Sequence, residues 1–437
     1  MGYVKFFRDS SPYINMHRGK TFVIALAGDG VLHSNFAHII HDIALLNSLG
    51  IRIVLVHGAR AQIEQRLAAA GLEPVFHNHQ RITDEAAMAC VKDAVGSTRI
   101  AVEATLSMGL ANSPMHGARL RVVSGNFITA KPVGVRDGID FHLTGEVRKI
   151  DSTGIRSQLD GGALVLLSSL GYSATGEAFN LTYENVATEA AVALGAEKLI
   201  LFTEEDGVGD AAGNLIRMLG MDQVPELLAG ANLKPPLANS LAAGHTACRK
   251  GIPRTHLISY QKDGALLREL FTREGEGTLL LRHGGETVRA AAIEDVPGLL
   301  DIISPLEEQG VLVKRSRELL ETEISRFYLV VDAEQVTVAC AALYPFADGH
   351  SAELACVATH EDYKNRGFAA KLLAHIEKQA WGMGIGSLFV LTTQTAHWFL
   401  EHGFVPSSLE ELPAEKKELY NYRRNSKIFR KQLADKY

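Results

Sequence analysis

The chain has 437 residues, 46% of them apolar and 22% charged, with a formal net charge of -6. That length predicts two or three domains, each able to bury its own core. Interspersed charge signs argue against a nucleic-acid partner, and no stretch reaches the roughly 18 unbroken apolar residues of a membrane span. The four cysteines, Cys90, Cys248, Cys340 and Cys356, lie far apart without a CxxC pair. This fits a reducing compartment and argues against a zinc ribbon or a disulfide framework. Lys5, Arg8 and Asp9 precede any apolar run, so no secretion signal or organelle presequence is read and a cytoplasmic protein is expected.

From Thr21 to about Arg282 four short apolar runs recur, FVIALAGDG, IRIVLVHGAR, ALVLLSSLG and EKLILFTEEDG. Helical periodicity separates them at Phe36 to Leu49, Ala61 to Ala70 and Asn185 to Leu194. Continuous apolar strands alternating with helices predict a doubly wound α/β sandwich. RHGGETV, Arg282 to Val288, breaks the pattern, which sets a linker at 283–288 between domains 1–282 and 289–437. Beyond it, AAIEDVPGLLDII and SRELLETEI read as helices, and RFYLVVDAEQVTVACAALYPF reads as a hairpin turning at Asp332 to Gln335. SAELACVAT and SLFVLTT read as strands, His397 to Glu401 as part of a helix, and Tyr420 to Leu433 as a last strand carrying a basic run. The second domain is expected to be mixed α/β.

The stretch KNRGFAAKLL, Lys364 to Leu373, carries the chemistry. Phe368, Leu372 and Ile376, with Ala369, Leu373 and Ala380 beside them, recur at helical spacing, so the helix begins after Gly367. Its first turn offers free backbone N–H groups and the positive end of the helix dipole, flanked by Lys364 and Arg366. Phosphate suits it, although a surface helix with two solvated cations has the same local sequence. With its neighbours the stretch resembles the GNAT-type acyltransferases, from about Thr287 to the end. Their pyrophosphate loop has Gln or Arg, then Gly three residues on, then Gly or Ala two further; here these are Lys364, Gly367 and Ala369.

That resemblance implies a GNAT fold with acetyl-CoA as cosubstrate. The amides of Asn365, Arg366, Gly367, Phe368, Ala369 and Ala370 would face the pyrophosphate, and the pantetheine arm would pair with the strand edge at Cys356 and Val357. Glu353 would be the base that takes the amine proton, and the Val357 N–H would stabilise the oxyanion. Cys356 has no activating histidine in a recognisable pattern, so it is not read as a nucleophile. In HWFLEHGF, Phe399 stands where the family has a tyrosine, leaving the acid for the departing thiolate unassigned.

The front domain resembles the amino acid kinase family over about residues 20 to 282, yet Ala25 and Ala187 stand where that family has a lysine and an aspartate. No kinase activity is expected. LLRELFTREGEGT resembles the arginine-site signature of arginine-inhibited members of that family, placing Arg268, Glu269, Glu274, Gly275 and Gly277, with Tyr13, around bound arginine; a helix end capped by glycines is the other reading. The whole chain resembles the bacterial N-acetylglutamate synthases. That likeness implies acetyl transfer from acetyl-CoA to the α-amine of L-glutamate by direct attack, as the first step of arginine biosynthesis. It further implies feedback inhibition by L-arginine and a homo-oligomer, a hexamer. Arg315, Arg424 and Ser426 match its glutamate positions, and arginine suits carboxylates because of its planar fork. Two alternatives stand beside it: a bifunctional acetyltransferase and kinase, or an arginine sensor whose acetyltransferase domain is inactive. His38 and His41, one turn apart, and the alternating His77 and His79 lack a third ligand at recognisable spacing, so no metal is expected.

Overall fold

The computed structural model describes residues 10–78, 80–108, 116–117, 120–230, 233–272, 275–282, 286–332, 336–364, 366–418, 420 and 426–433. The chain divides into two compact units, residues 1–283 and 284–437.

The front unit is built on an eight-stranded sheet. Its central strands, Arg254–Ser259, Lys198–Thr203, Thr21–Leu26, Arg52–His57 and Ala163–Ser168, lie side by side and parallel. Thr278–Leu281 is antiparallel to Arg254–Ser259. The four apolar runs form four of these strands because both of their faces are covered. Val23, Ala25, Val54 and Val56 enter one core with Val186, Ala190 and Leu241 from helices Tyr183–Leu194 and Pro235–Arg249. The alternate residues Phe22, Ile24, Ile53 and Leu55 are equally buried. Helix boundaries follow local chemistry: the Asp84 carboxylate accepts from the Ala87 N–H at the start of Glu85–Leu106, and Thr182 caps Tyr183–Leu194 in the same way. The long Glu85–Leu106 helix and a four-stranded sheet of Ala178–Asn180, Leu170–Tyr172, Ile128–Pro132 and Gly145–Ile150 are absent from the sequence reading. The strands of that sheet are short and half polar, so no long apolar run announces them.

The back unit is a seven-stranded sheet ordered Thr287–Ala290, Phe327–Val331, Thr337–Pro345, Ser351–Thr359, Ser387–Thr392, Lys427–Gln432, Val405–Ser407. The expected linker is corrected at its end: Thr287 and Val288 pair with Val331 and Val330 and belong to the sheet. The expected hairpin forms between Phe327–Val331 and Thr337–Pro345; residues 333–335 of its turn lie outside the described residues. Val330, Ala339, Ala341 and Leu354 face the Phe368–Gly382 helix through Phe368, Leu372 and Ile376. On the opposite face Leu329, Cys340, Ala342 and Cys356 pack with Val296, Leu299 and Ile303 of Val296–Glu308. This is the period-two alternation of strands sandwiched between helices. The last strand begins at Lys427, where pairing with Thr392 ends. Ser426 therefore precedes the strand, so the two-residue alternation that would place Arg424 and Ser426 on one strand face does not apply; Arg424 itself lies outside the described residues.

Candidate functional site

Two strands part at the centre of the back unit. Ser351–Thr359 runs parallel to Ser387–Thr392 only as far as Glu353, which pairs with Phe389. Beyond that point residues 354–359 leave an edge that Ser387–Thr392 does not cover. The divergence has a local cause on the other side of the strand. Ala342 pairs with Ala355 but Cys340 with Ala358, so Cys356 and Val357 together oppose Ala341 in a β-bulge. Cys356 takes the left-handed backbone at φ 54°, a conformation that costs a non-glycine residue about 1–2 kcal/mol. A bulge bends its strand and shifts the side-chain alternation by one. Leu354 and Val357 consequently face the Phe368–Gly382 helix, whereas Cys356 faces Val296–Glu308.

Glu353 is half-buried, and one of its carboxylate oxygens lies 2.6 Å from Lys416 Nζ. Lys416 comes from the short helix Ala414–Glu418. The sequence reading missed it because PAEKKE has the composition of a solvated helix and nothing local ties it to a distant strand. Arg315, expected in the substrate pocket, is half-buried. Its backbone N–H donates to Glu307 Oε1 at 3.0 Å and its guanidinium to the Val313 carbonyl at 3.0 Å. Burial works against its charge, but Cys356, Tyr344 and Glu307 outweigh that and raise its pKa. The Cys356 thiol is drawn below its ordinary value chiefly by hydrogen bonding with Cys340, against burial, with help from Arg315. The structure thus brings Glu353, Cys356 and Arg315 to one face of the sheet. Phe399 is buried against Phe404 and Trp398 and offers no proton.

Gly367 opens the Phe368–Gly382 helix with φ 79°, a backbone that favours glycine. Phe368 is buried and anchors the first turn. By helix geometry the N–H groups of that turn have no intrahelical acceptor. A Cβ on Gly367 would meet nothing within 4 Å, so the approach is open. Lys364 and Arg366 are exposed, with the Arg366 guanidinium 4.9 Å above the Tyr363 ring. Tyr363 in turn donates to Asp332 Oδ2 at 2.9 Å. This cradle fits a diphosphate: an anion site at a helix start, flanked by two cations. Asn365 lies outside the described residues.

In the front unit, Glu269 of Ala265–Phe271 is buried. Its carboxylate accepts from His256 Nδ1 at 2.6 Å and from the backbone N–H groups of Glu276 at 2.6 Å and Gly277 at 2.8 Å. Burial alone would raise its pKa, but the His256 hydrogen bond and the two amides hold it at about 2. Arg268 donates to Glu276 Oε2 and to the Asp263 carbonyl, both at 2.8 Å. Ser11–His17, which carries the buried Tyr13, docks on the same helix; His17 Nε2 lies 3.1 Å from the Leu270 carbonyl. Glu274 lies outside the described residues. A Cβ on Gly277 would stand 2.0 Å from the Leu257 carbonyl oxygen, a backbone atom that cannot yield cheaply. Gly277→Ala is therefore expected to destabilise the front unit by about 3 kcal/mol, measured by urea unfolding; a variant as stable as the parent would contradict this packing.

Ala25 and Ala187 sit together in one apolar core, where a charged pair would be buried. Among the described residues no group of three His, Cys, Asp or Glu side chains could hold a metal ion; His38 pairs with Asp263 and His77 with Asp137, and His79 lies outside the described residues. No described helix is long and apolar enough to cross a membrane.

The sequence model of the amino acid kinase family matches residues 20–248, and that of the acetyltransferase (GNAT) family matches residues 296–404. Over 433 residues, 99% of each chain, the protein is 58% identical to an amino-acid acetyltransferase of Ectopseudomonas mendocina (strain ymp). The chain belongs to the amino-acid acetyltransferase family. It also resembles the crystal structure of N-acetylglutamate synthase from Neisseria gonorrhoeae complexed with coenzyme A and L-arginine. The TM-score there is 0.86 at 36% identity, covering 99% of this chain and 100% of that one. The same enzyme complexed with coenzyme A and N-acetyl-glutamate gives a TM-score of 0.63 with the same identity and coverage. This amino-acid acetyltransferase joins an amino acid kinase-like unit to a GNAT unit and uses acetyl-CoA as its acyl donor.

Proposed function

We propose that the acceptor is L-glutamate, acetylated on its α-amine, and that L-arginine binds the front unit as a feedback inhibitor of this first step of arginine biosynthesis. The reading rests above all on the parting of Ser351–Thr359 from Ser387–Thr392 just beyond Glu353. That cleft leaves a strand edge for an extended pantetheine arm, the Gly367 turn for its diphosphate, and a carboxylate at the point of divergence. The solved relative carries coenzyme A with arginine in one crystal and with N-acetyl-glutamate in another, which supports both ligands here.

The amine arrives protonated and must lose that proton before it can attack. Glu353 takes it, directly or through a water, as the substrate ammonium displaces Lys416 from the carboxylate. The neutral nitrogen then attacks the acetyl carbonyl carbon, and the Val357 N–H stabilises the oxyanion. Collapse of the tetrahedral intermediate breaks the C–S bond and releases the CoA thiolate, while the second proton on the attacking nitrogen passes to that thiolate or to solvent as the amide forms. A thiol pKa only about one to two units above neutral lets that thiolate leave without a dedicated acid, which accommodates Phe399. Arg315, Arg424 and Ser426 bind the carboxylates of glutamate. In the front unit Arg268, Glu269, Glu274, Gly275, Gly277 and Tyr13 surround arginine, and the chain assembles as a homo-oligomer, a hexamer by its likeness to the family. The burial of Ala25 and Ala187 disfavours a second, kinase activity.

Purified protein mixed with acetyl-CoA and L-glutamate, with free thiol trapped as it forms, tests the reading. One N-acetyl-L-glutamate is expected per thiol released, at a rate that falls as L-arginine is added. Thiol release indifferent to glutamate would refute the acceptor, and a rate indifferent to arginine would refute the regulation.

A further inference from the structure

We infer that His256 is a positioning residue for the regulatory loop: it orients Glu269, whose carboxylate shapes residues 275–277 to receive a guanidinium-bearing amino acid. The inference rests on the reading of that loop as the arginine site. Three side chains from three elements stand in a line beneath the loop. Lys198 comes from Lys198–Thr203, His256 from the adjacent Arg254–Ser259 and Glu269 from the helix Ala265–Phe271. Lys198 is fully buried, and the side chains of His256 and Glu269 are 1% and 4% exposed. Lys198 Nζ lies 3.5 Å from His256 Nε2, and His256 Nδ1 lies 2.6 Å from Glu269 Oε1.

The direction of this chain follows from its donors. An ammonium has three N–H groups and no acceptor, so Nε2 accepts from Lys198. The imidazole proton is then on Nδ1, where it donates to Glu269. Glu269 Oε2 faces the other way and accepts from the Glu276 and Gly277 amides. One carboxylate oxygen is thus fixed by the sheet and the other fixes the loop.

A buried ionic chain of this kind holds two strands and a helix together no better than apolar side chains of similar volume would. What the polar chain adds is an orientation. Gly275 and Gly277 lie so close that a Cβ on them would stand 2.9 Å from Glu269 Oε2 and 2.0 Å from the Leu257 oxygen. The path of the loop therefore follows the rotation of the Glu269 carboxylate. Glu276, whose amide Glu269 holds, also receives Arg268 at 2.8 Å and Lys262 at 3.1 Å. A change at His256 is relayed in this way to every described charged group on the rim of the loop that contacts Glu276.

Two amide substitutions in the full chain separate this role from simple packing. In His256→Asn the amide N–H lies where Nδ1–H does and can still donate to Glu269. In His256→Gln the amide reaches the Nε2 position and faces Lys198, leaving Glu269 without that donor. Initial rates of glutamate acetylation are measured against L-arginine, with arginine binding followed by calorimetry. Without arginine both variants are expected to keep kcat and KM within about twofold of the parent. The half-inhibiting arginine concentration is expected to rise about tenfold or more in His256→Gln, the effect of one charge-assisted hydrogen bond, and less than about threefold in His256→Asn. Equal arginine sensitivity in His256→Gln and the parent would overturn the inference, as would equal losses in the two variants. A parent that neither binds arginine nor responds to it would instead remove the arginine reading on which the inference stands.

Discussion

Glu353→Gln is expected to lower kcat for acetyl transfer by about 10²- to 10⁴-fold, the usual contribution of a general base, while KM for acetyl-CoA stays within about twofold. Glutamine keeps the shape of the side chain and can still accept a hydrogen bond from Lys416, which now lies 2.6 Å away. It cannot take a proton. The defect is therefore one of chemistry, and its pH dependence identifies it. As pH rises through the pKa of the substrate amine, the amine enters already neutral and needs no base, so the variant should approach the parent. Steady-state rates across that range measure this. A defect of constant size at every pH would mean that Glu353 serves the structure through its ion pair, and an unchanged rate would remove it from the mechanism.

Gly367→Val is expected to cut kcat/KM for acetyl-CoA by about 10- to 100-fold with a much smaller change in kcat at saturation. At φ 79° a side chain pays about 1–2 kcal/mol to keep the left-handed backbone, and a β-branched one is a greater outlier still. Relief of that strain turns the first amides of the helix away from the diphosphate, and each 1.4 kcal/mol lost there is a factor of ten in affinity. A Cβ there meets nothing within 4 Å; the fold should hold and calorimetry should show weaker coenzyme A binding. Gly367→Ala, without β-branching, should fall between the two. Undiminished coenzyme A affinity in the valine variant would place the diphosphate elsewhere.

Some of this was open to reading residue by residue. FVIAL, RIVLVH, ALVLLS and KLILFT could only be strands buried on both faces, because their apolar runs are too short for helices and unbroken by polar positions. Gly367 before the spacing of Phe368, Leu372 and Ile376 marks a helix start whatever the rest of the chain does. The glycine at 367, the alanines at 25 and 187 where the resembled family has a lysine and an aspartate, and the phenylalanine at 399 are properties of single positions, and the sequence alone determines them.

The tertiary structure decided the rest, where the partner lies far along the chain. On an unbroken strand Glu353 and Cys356, three residues apart, would point to opposite faces; only the bulge opposite Ala341 restores them to one. That bulge depends on pairing with a neighbouring strand, which no local pattern encodes. Lys416 could be given to Glu353, and Lys198 and His256 to Glu269, only once the sheets had closed. Gly277 reads in sequence as part of the arginine-site signature or as a helix cap, yet the Leu257 carbonyl that excludes a Cβ belongs to another strand. Period and propensity act over a few residues and fix where elements begin, whereas electrostatics and close packing act through space and fix what those elements do.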